Sequence, residues 1–354
     1  MYPKLVVDTK KVEQNTRVIT RLCAQHGIRV CGVTKGVCGD PHIAKAFVAG
    51  GVHCIGDSRL DDLAKLQGAP LPKLLIRMPH PSEADRVVRL ADISTNTELA
   101  TIQALDAACK RAGGLRHGIM LMCDLGDLRE GFVDESDLFA AARAVVGSQH
   151  LYLHGIGANL NCLSFILPDA GKMEQLASLA RRMKAEFGLA QLDVSGGNSS
   201  NLNLLQAGGM PSEVNILRLG EALLLGRERA TYQYLPGTFN DAFVFKATII
   251  ELKEKPSMPW GTAGADSFGH YHAFVDRGPR LRAIAAFGSQ DTQAEVLWPL
   301  DEGIEVVDSS SDHTVLDLTQ ATRSYQVGDT VDFRCGYHAI DHAFTSQYVE
   351  KVFL

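Results

Sequence analysis

The sequence predicts an α/β fold, a (β/α)8 barrel carrying an all-β domain at its C-terminal end. Two observations carry that prediction. Strand-like and helix-like stretches alternate for roughly 200 residues. Around residues 225–237 the alternation stops, and short β-rich runs separated by Gly, Pro, Asp and Ser follow. A chain of 354 residues is also longer than one ordinary core, which suits one large domain and one smaller one. The expected division is 1–10 as an N-terminal strand joining the β-domain, 11–230 as the barrel and 231–354 as the β-domain.

In chain order, residues 10–26 read as an amphipathic helix, with Val12, Val18, Ile19 and Leu22 at helical spacing. Barrel strands are expected at 29–33, 53–56, 73–78, 92–94, 118–123, 152–155, 192–195 and 216–219. Helices are expected between them at 43–48, 60–65, 83–90, 98–111, 137–146, 172–187 and 201–207. A doubly wound open sheet would use the same alternation. No Gly-x-Gly-x-x-Gly follows the first strand and no Gly-Lys-Ser phosphate loop is present, which weakens the nucleotide-binding alternatives. The β-domain strands are expected at 243–252, 282–287, 294–298, 304–307, 314–318 and 330–333.

The chain is organised around residues 30–41, Val-Cys-Gly-Val-Thr-Lys-Gly-Val-Cys-Gly-Asp-Pro. An apolar strand stops at Lys35, glycines turn the chain, and Asp40-Pro41 opens a helix as N-cap and first helical residue. Desolvation at a strand end favours a neutral amine, which is a nucleophile able to form a Schiff base with an aldehyde cofactor. The alternative is a stem lying along the barrel wall with its ammonium in water.

Polar residues gather after other strands. Ser195-Gly-Gly-Asn-Ser-Ser-Asn201 reads either as an anion cradle or as a plain turn with a helix cap. Arg218, inside an apolar strand, needs a partner, either a cofactor ring nitrogen or an ion pair with Glu221. The Gly220 N–H is placed to face a phosphate. Gly56-Asp-Ser-Arg59, the segment 124–132 and Gly155-Ile-Gly-Ala-Asn-Leu-Asn161 add to a polar rim.

Composition narrows the classes. Hydrophobic content of 45% with 21% charged residues is that of a globular protein, and a net charge of −6 argues against nucleic acid as a main partner. No run approaches membrane-span length and no signal peptide is evident, so a cytoplasmic location is expected. None of the eight cysteines forms a Cys-x-x-Cys pair; reduced, buried thiols are expected. His270-Tyr-His272 and His338…His342 offer no third ligand, so no metal is expected.

Together, Val-Thr-Lys-Gly-Val, Gly-Asp-Ser-Arg, Gly-Ile-Gly-Ala-Asn-Leu, Ser-Gly-Gly-Asn-Ser-Ser and Leu-Arg-Leu-Gly-Glu-Ala resemble the alanine racemase fold (fold type III) of pyridoxal 5'-phosphate (PLP) enzymes. The branch most similar is that of the alanine/ornithine racemase-like enzymes. Tyr337 and Thr345-Ser-Gln-Tyr-Val-Glu-Lys351 extend the resemblance to nearly the whole chain. It implies a PLP-binding TIM barrel and an amino-acid racemase working by α-proton removal, on a basic substrate such as ornithine or lysine. It also implies a homodimer. Lys35 would be the Schiff-base lysine and one acid/base, with Arg218 at the pyridine nitrogen and Asn159 facing the ring. Ser195, Asn198, Ser199, Ser200, Gly220, Glu221 and Tyr337 would complete the cofactor site, and Arg129 and Asp291 would meet the substrate.

One departure stands out. Racemases of this fold usually set a β-domain tyrosine opposite the lysine, and here 259–269 holds none. Asp266 and Cys335 are the candidates for the second acid/base, each also readable as a turn aspartate or a buried thiol. The rival functions are a PLP-dependent D-amino-acid lyase or decarboxylase on the same fold, and a non-catalytic PLP-binding regulatory protein.

Overall fold

The computed structural model describes residues 3–262, 264 and 273–354. The chain forms two compact units, Asp8–Ala242 and a second made of Phe243–Leu354 with the N-terminal residues through Val7. Asp266 lies outside the described residues.

After strand β1 (Lys4–Val7), the first unit is a closed parallel barrel of β2 (Arg29–Val33), β3 (Cys54–Asp57), β4 (Lys73–Leu75), β5 (Ile93–Asn96), β6 (His117–Cys123), β7 (Leu151–Ala158), β8 (Asp193–Ser195) and β9 (Ile216–Leu219). These are the eight strands expected from the alternation. The barrel closes where β2 pairs with β9, with Cys31 opposite Arg218 and Gly32 opposite Leu219. The helices of this unit are α1 (Thr9–Gln25), α2 (Pro41–Ala49), α3 (Leu60–Lys65), α4 (Ala84–Leu90), α5 (Leu99–Arg111), α6 (Glu135–Val146), α7 (Ala170–Phe187), α8 (Leu202–Gln206) and α9 (Glu221–Leu225).

Local chemistry starts these helices where the sequence suggests. Asp40 caps α2 by accepting from the His42 and Ile43 N–H groups, and Pro41 fills the first turn where no donor is needed. Asp8 caps α1 in the same way through the Lys10 and Lys11 N–H groups. Inside the barrel, Val33, Cys54, Leu74, Ile93, Met120 and Ile216 pack into one apolar cluster. Hydrocarbon fills this layer of the interior, as in other barrels.

The second unit is built on β10 (Phe243–Pro256), β11 (Pro279–Ala285), β12 (Leu297–Pro299), β13 (Glu305–Ser309), β14 (Thr314–Asp317), β15 (Thr330–Cys335) and β16 (Glu350–Phe353), with helix α10 (Tyr337–Thr345). Its strand order is β12-β15-β10-β11-β14-β13, and β1 adds to it antiparallel to β10 and parallel to β16. Phe245, Phe287 and Phe333 form its centre, with ring centroids 5.0 and 5.7 Å apart across Phe287. Each such fully buried ring contributes roughly 1.5–3 kcal/mol. Helix α10 was not expected in the β-rich region. It forms because Ala339, Ile340, Ala343 and Phe344 make a buried stripe at helical spacing. No helix among the described residues is long and apolar enough to cross a membrane.

Candidate active site

At the end of β2 the backbone is pinned to β3 before it turns. The Thr34 N–H donates to the Gly56 carbonyl at 2.9 Å, and its hydroxyl donates to Asp57 Oδ2 at 2.6 Å. Lys35 then opens a single 3-10 turn, Lys35–Val37, which Cys38 and Gly39 leave with positive φ. Gly39 cannot be replaced freely: a Cβ there would stand 2.7 Å from the Cβ of Asp62.

Lys35 is exposed. The expectation that burial at a strand end keeps its amine neutral is therefore corrected, because the chain leaves the barrel wall at Thr34, one residue too early. The desolvated group is instead its neighbour Asp57. Burial pushes the Asp57 carboxyl up to about 6, against the hydrogen bonds from Thr34 and the Arg59 N–H that favour its ionised form.

Arg218, on β9 beside this strand, is 5% exposed. It donates to the Ser195 hydroxyl, to the Ala158 carbonyl at 2.8 Å and to Asn159 Oδ1 at 3.0 Å. Burial lowers its pKa, while the nearby Glu130 carboxylate works in the opposite direction. Its ion-pair alternative is resolved: Glu221 does not pair with Arg218 but accepts from Arg227 Nε and Nη2 at 3.0 and 2.7 Å, with Arg229 at 3.5 Å. Both Glu221 oxygens thus face arginines, so its side chain braces the start of α9 and is not turned outward.

The loop after β8 divides into structural and outward-looking groups. Asn198 spends its amide within the protein, accepting from the Ser200 N–H at 2.9 Å and donating to the Leu160 carbonyl at 2.8 Å. The Ser199 hydroxyl accepts from the Ala222 N–H at 3.2 Å, joining this loop to the start of α9. The Ser200 hydroxyl is buried and has no hydrogen-bond partner among the described residues. Leaving a buried hydroxyl unpaired costs about 1–3 kcal/mol. Gly220, which follows β9, comes so near β2 that a Cβ would lie 3.2 Å from the Val33 carbonyl. Ser200, Gly220 and Lys35 therefore share the rim at the β8, β9 and β2 ends. The buried Ser200 hydroxyl after β8, Arg218 on β9 and Lys35 after β2 thus follow one another around the barrel, groups that fit the phosphate, ring nitrogen and aldehyde of PLP.

After β6 the chain doubles back: the Asp124 N–H donates to the Phe132 carbonyl at 3.0 Å and the Phe132 N–H to the Met122 carbonyl at 2.8 Å. This places Arg129 and Glu130 beside the end of β7. Arg129 donates from Nε and Nη2 to the Glu130 carboxylate. Asn159 donates to the same carboxylate at 2.7 Å. Glu130 was not singled out in the sequence, and neither was Arg229, whose buried Nε lacks a partner among the described residues. Neighbouring Arg-Glu in a loop carries no directional signal, so spacing could not reveal which way Glu130 points.

Within the β-unit, Tyr337 is half-buried at the first position of α10. Asp291 is buried, and its Oδ2 accepts from the Gly288 N–H at 3.0 Å inside its own turn. A carboxylate would also repel a substrate carboxylate, so the side-chain role expected for Asp291 is replaced by a turn-forming one. Cys335 corrects the sequence reading more sharply. It is 3% exposed, donates to the Phe333 carbonyl, and burial pushes its thiol up to about 12. A thiol so enclosed does not exchange protons with a substrate.

Comparisons with known proteins agree with this geometry. Residues 7–228 match the family described as "Alanine racemase, N-terminal domain". The chain is 40% identical to an ornithine racemase of Acetoanaerobium sticklandii, over 100% of both chains. It is 36% identical to a lysine racemase of Thermotoga maritima, over 100% of this chain and 99% of that one. Among solved structures, an alanine racemase from E. faecalis superposes with a TM-score of 0.72 at 18% identity, covering 99% of this chain and 98% of the other.

Proposed function

This chain belongs to the alanine racemase N-terminal domain family and is a PLP-dependent amino-acid racemase. On that premise we propose that it interconverts the enantiomers of a basic amino acid, ornithine or lysine. Support for that substrate class comes from the two full-length relatives, which carry those names at 40% and 36% identity. When bound, PLP withdraws electrons from the α-carbon of a joined amino acid and makes its α-hydrogen acidic.

The chain's own part is to hold and move the proton. The Lys35 amine is the carrier of the α-proton on its side of the substrate, presented from the exposed turn that follows β2. Arg218 would face the ring nitrogen as a donor that keeps its proton, since a guanidinium stays charged at any working pH. Arg218 would thereby leave the ring unprotonated and a weaker electron sink, favouring return of the proton over side reactions. Ser200 and the backbone around Gly220 would hold the phosphate. Ser195 and Asn159 fix Arg218. The free nitrogen of the Arg129 fork meets the substrate carboxylate.

Asp266 is the sequence's candidate for the second proton carrier. A homodimer and a cytoplasmic location complete the proposal, both resting on the resemblance. The single observation that carries the reading is the set formed by Lys35, Arg218 and the unpartnered Ser200 hydroxyl at adjoining strand ends. It is tested by a panel of L-amino acids read out for the D-enantiomer, with and without added PLP. Ornithine or lysine should turn over fastest and only with PLP. Release of a keto acid or CO2 in place of the D-enantiomer would overturn it.

A further inference from the structure

We infer that Glu130 is a positioning residue of this site: its carboxylate decides which way the Asn159 amide faces and thereby where the Arg218 guanidinium lies. The inference rests on the reading of Arg218 as the ring-nitrogen partner.

The two ends of an asparagine amide are nearly the same in shape, so partners decide its orientation. Asn159 stands between a group that can only accept and a group that can only donate. Its Nδ2 donates to Glu130 Oε1 at 2.7 Å, and its Oδ1 accepts from Arg218 Nη2 at 3.0 Å. Turning the amide over would set N–H against guanidinium and C=O against carboxylate, two repulsive contacts in place of two attractive ones. Without the carboxylate only one side of that constraint remains.

Glu130 is held firmly enough to act in this way. Its side chain is 5% exposed, and Arg129 grips it through Nε and Nη2, the latter at 2.5 Å. The loop carrying it turns at Gly131, whose φ of 135° an L side chain rarely adopts. Burial alone would raise its pKa; the hydrogen bonds from Arg129 and Asn159, with the charge of Arg218, outweigh burial and hold it below the usual carboxylate range. The carboxylate is therefore ionised at neutral pH, and one negative charge serves two arginines, Arg129 directly and Arg218 through one amide.

The test uses the PLP-loaded enzyme and variants Glu130→Gln, Asn159→Leu and the double exchange Glu130→Gln/Asn159→Asp. The double variant moves the carboxylate one residue toward Arg218 while the new Gln amide donates to it, so a donor meets an acceptor on both sides of residue 159. The first readout needs no turnover: the pH titration of the bound cofactor's visible band. The second is the fraction of turnovers that end in a side reaction, with the cofactor left as its amine. Glu130→Gln and Asn159→Leu should both shift the titration and raise the side-reaction fraction about tenfold, as loss of one charge-assisted hydrogen bond implies. The double exchange should restore both to within about threefold of the starting enzyme. A purely structural Glu130 would give no such rescue. Unchanged titration and partition in the two single variants, with cofactor still bound, would overturn the inference while leaving the proposed function standing. Absence of any cofactor band in the unaltered protein would overturn the proposed function, and this inference with it.

Discussion

The hydroxyl of Thr34 donates to the carboxylate of Asp57 at 2.6 Å, so the residue just before Lys35 is tied to the neighbouring strand by a buried acid. That acid is lifted to about 6 by burial, against an ordinary value of 3.8. The folded chain therefore holds the Asp57 proton more tightly than the unfolded chain does. Its favourable contribution is complete below about pH 3.8 and is lost as pH rises to about 6. Buried His117 acts with the opposite sign, since burial lowers it from 6.5 to about 4 and its contribution fades as pH falls through that window. The difference between the two proteins isolates the acid. Measured by chemical denaturation, the unaltered chain should lose stability relative to Asp57→Asn between about pH 4 and 6. A flat difference would remove Asp57 as the source.

Ser200→Ala deletes the buried hydroxyl that has no partner among the described residues. If that hydroxyl exists to meet a phosphate, the variant should fold with equal or greater stability yet bind PLP about ten- to a hundredfold more weakly, the worth of a hydrogen bond to a charged group. Equilibrium dialysis measures the affinity, and thermal melting of the cofactor-free protein supplies the control.

The barrel was legible because parallel strands covered on both faces are written as plain apolar runs, such as Ile119-Met-Leu-Met-Cys123 of β6, with amphipathic helices between them. The Asp40-Pro41 helix start was legible because capping is local. Lys35 was legible as a position and misread as an environment: one residue of turn, Thr34, takes its side chain out of the wall. What could not be read was direction. Glu221 and Arg218 lie three apart and suggest a pair, yet Glu221 turns to Arg227 and Arg229. Cys335 ends a strand like any alternating residue, and only packing shows that it faces inward. Helix α10 was hidden by its length of nine residues, too short for periodicity to outweigh the β-rich surroundings.

Gly131→Ala should be costly. A Cβ at this position would stand 2.2 Å from the Asp124 N, and φ is 135°. Backbone strain of this kind amounts to about 1–3 kcal/mol, so denaturant midpoints should fall accordingly. Because the same turn carries Arg129 and Glu130, turnover should fall further than the lost stability accounts for at temperatures where the variant remains folded.

Cys335→Ala should do the reverse. A core thiol held at about 12 takes no part in proton transfer, so racemisation should persist at near its original rate while stability falls by about 1 kcal/mol. Loss of racemisation in a variant that melts normally would return Cys335 to the catalytic set.

The central claim is that Lys35 is the amine through which the cofactor is held and the α-proton is carried. It is tested most directly by treating the PLP-loaded protein with borohydride, digesting it and locating the fixed cofactor by peptide mass. The account predicts a single modified residue, Lys35, and no fixed adduct in Lys35→Ala. Modification of another lysine, or an adduct that survives in Lys35→Ala, would contradict it.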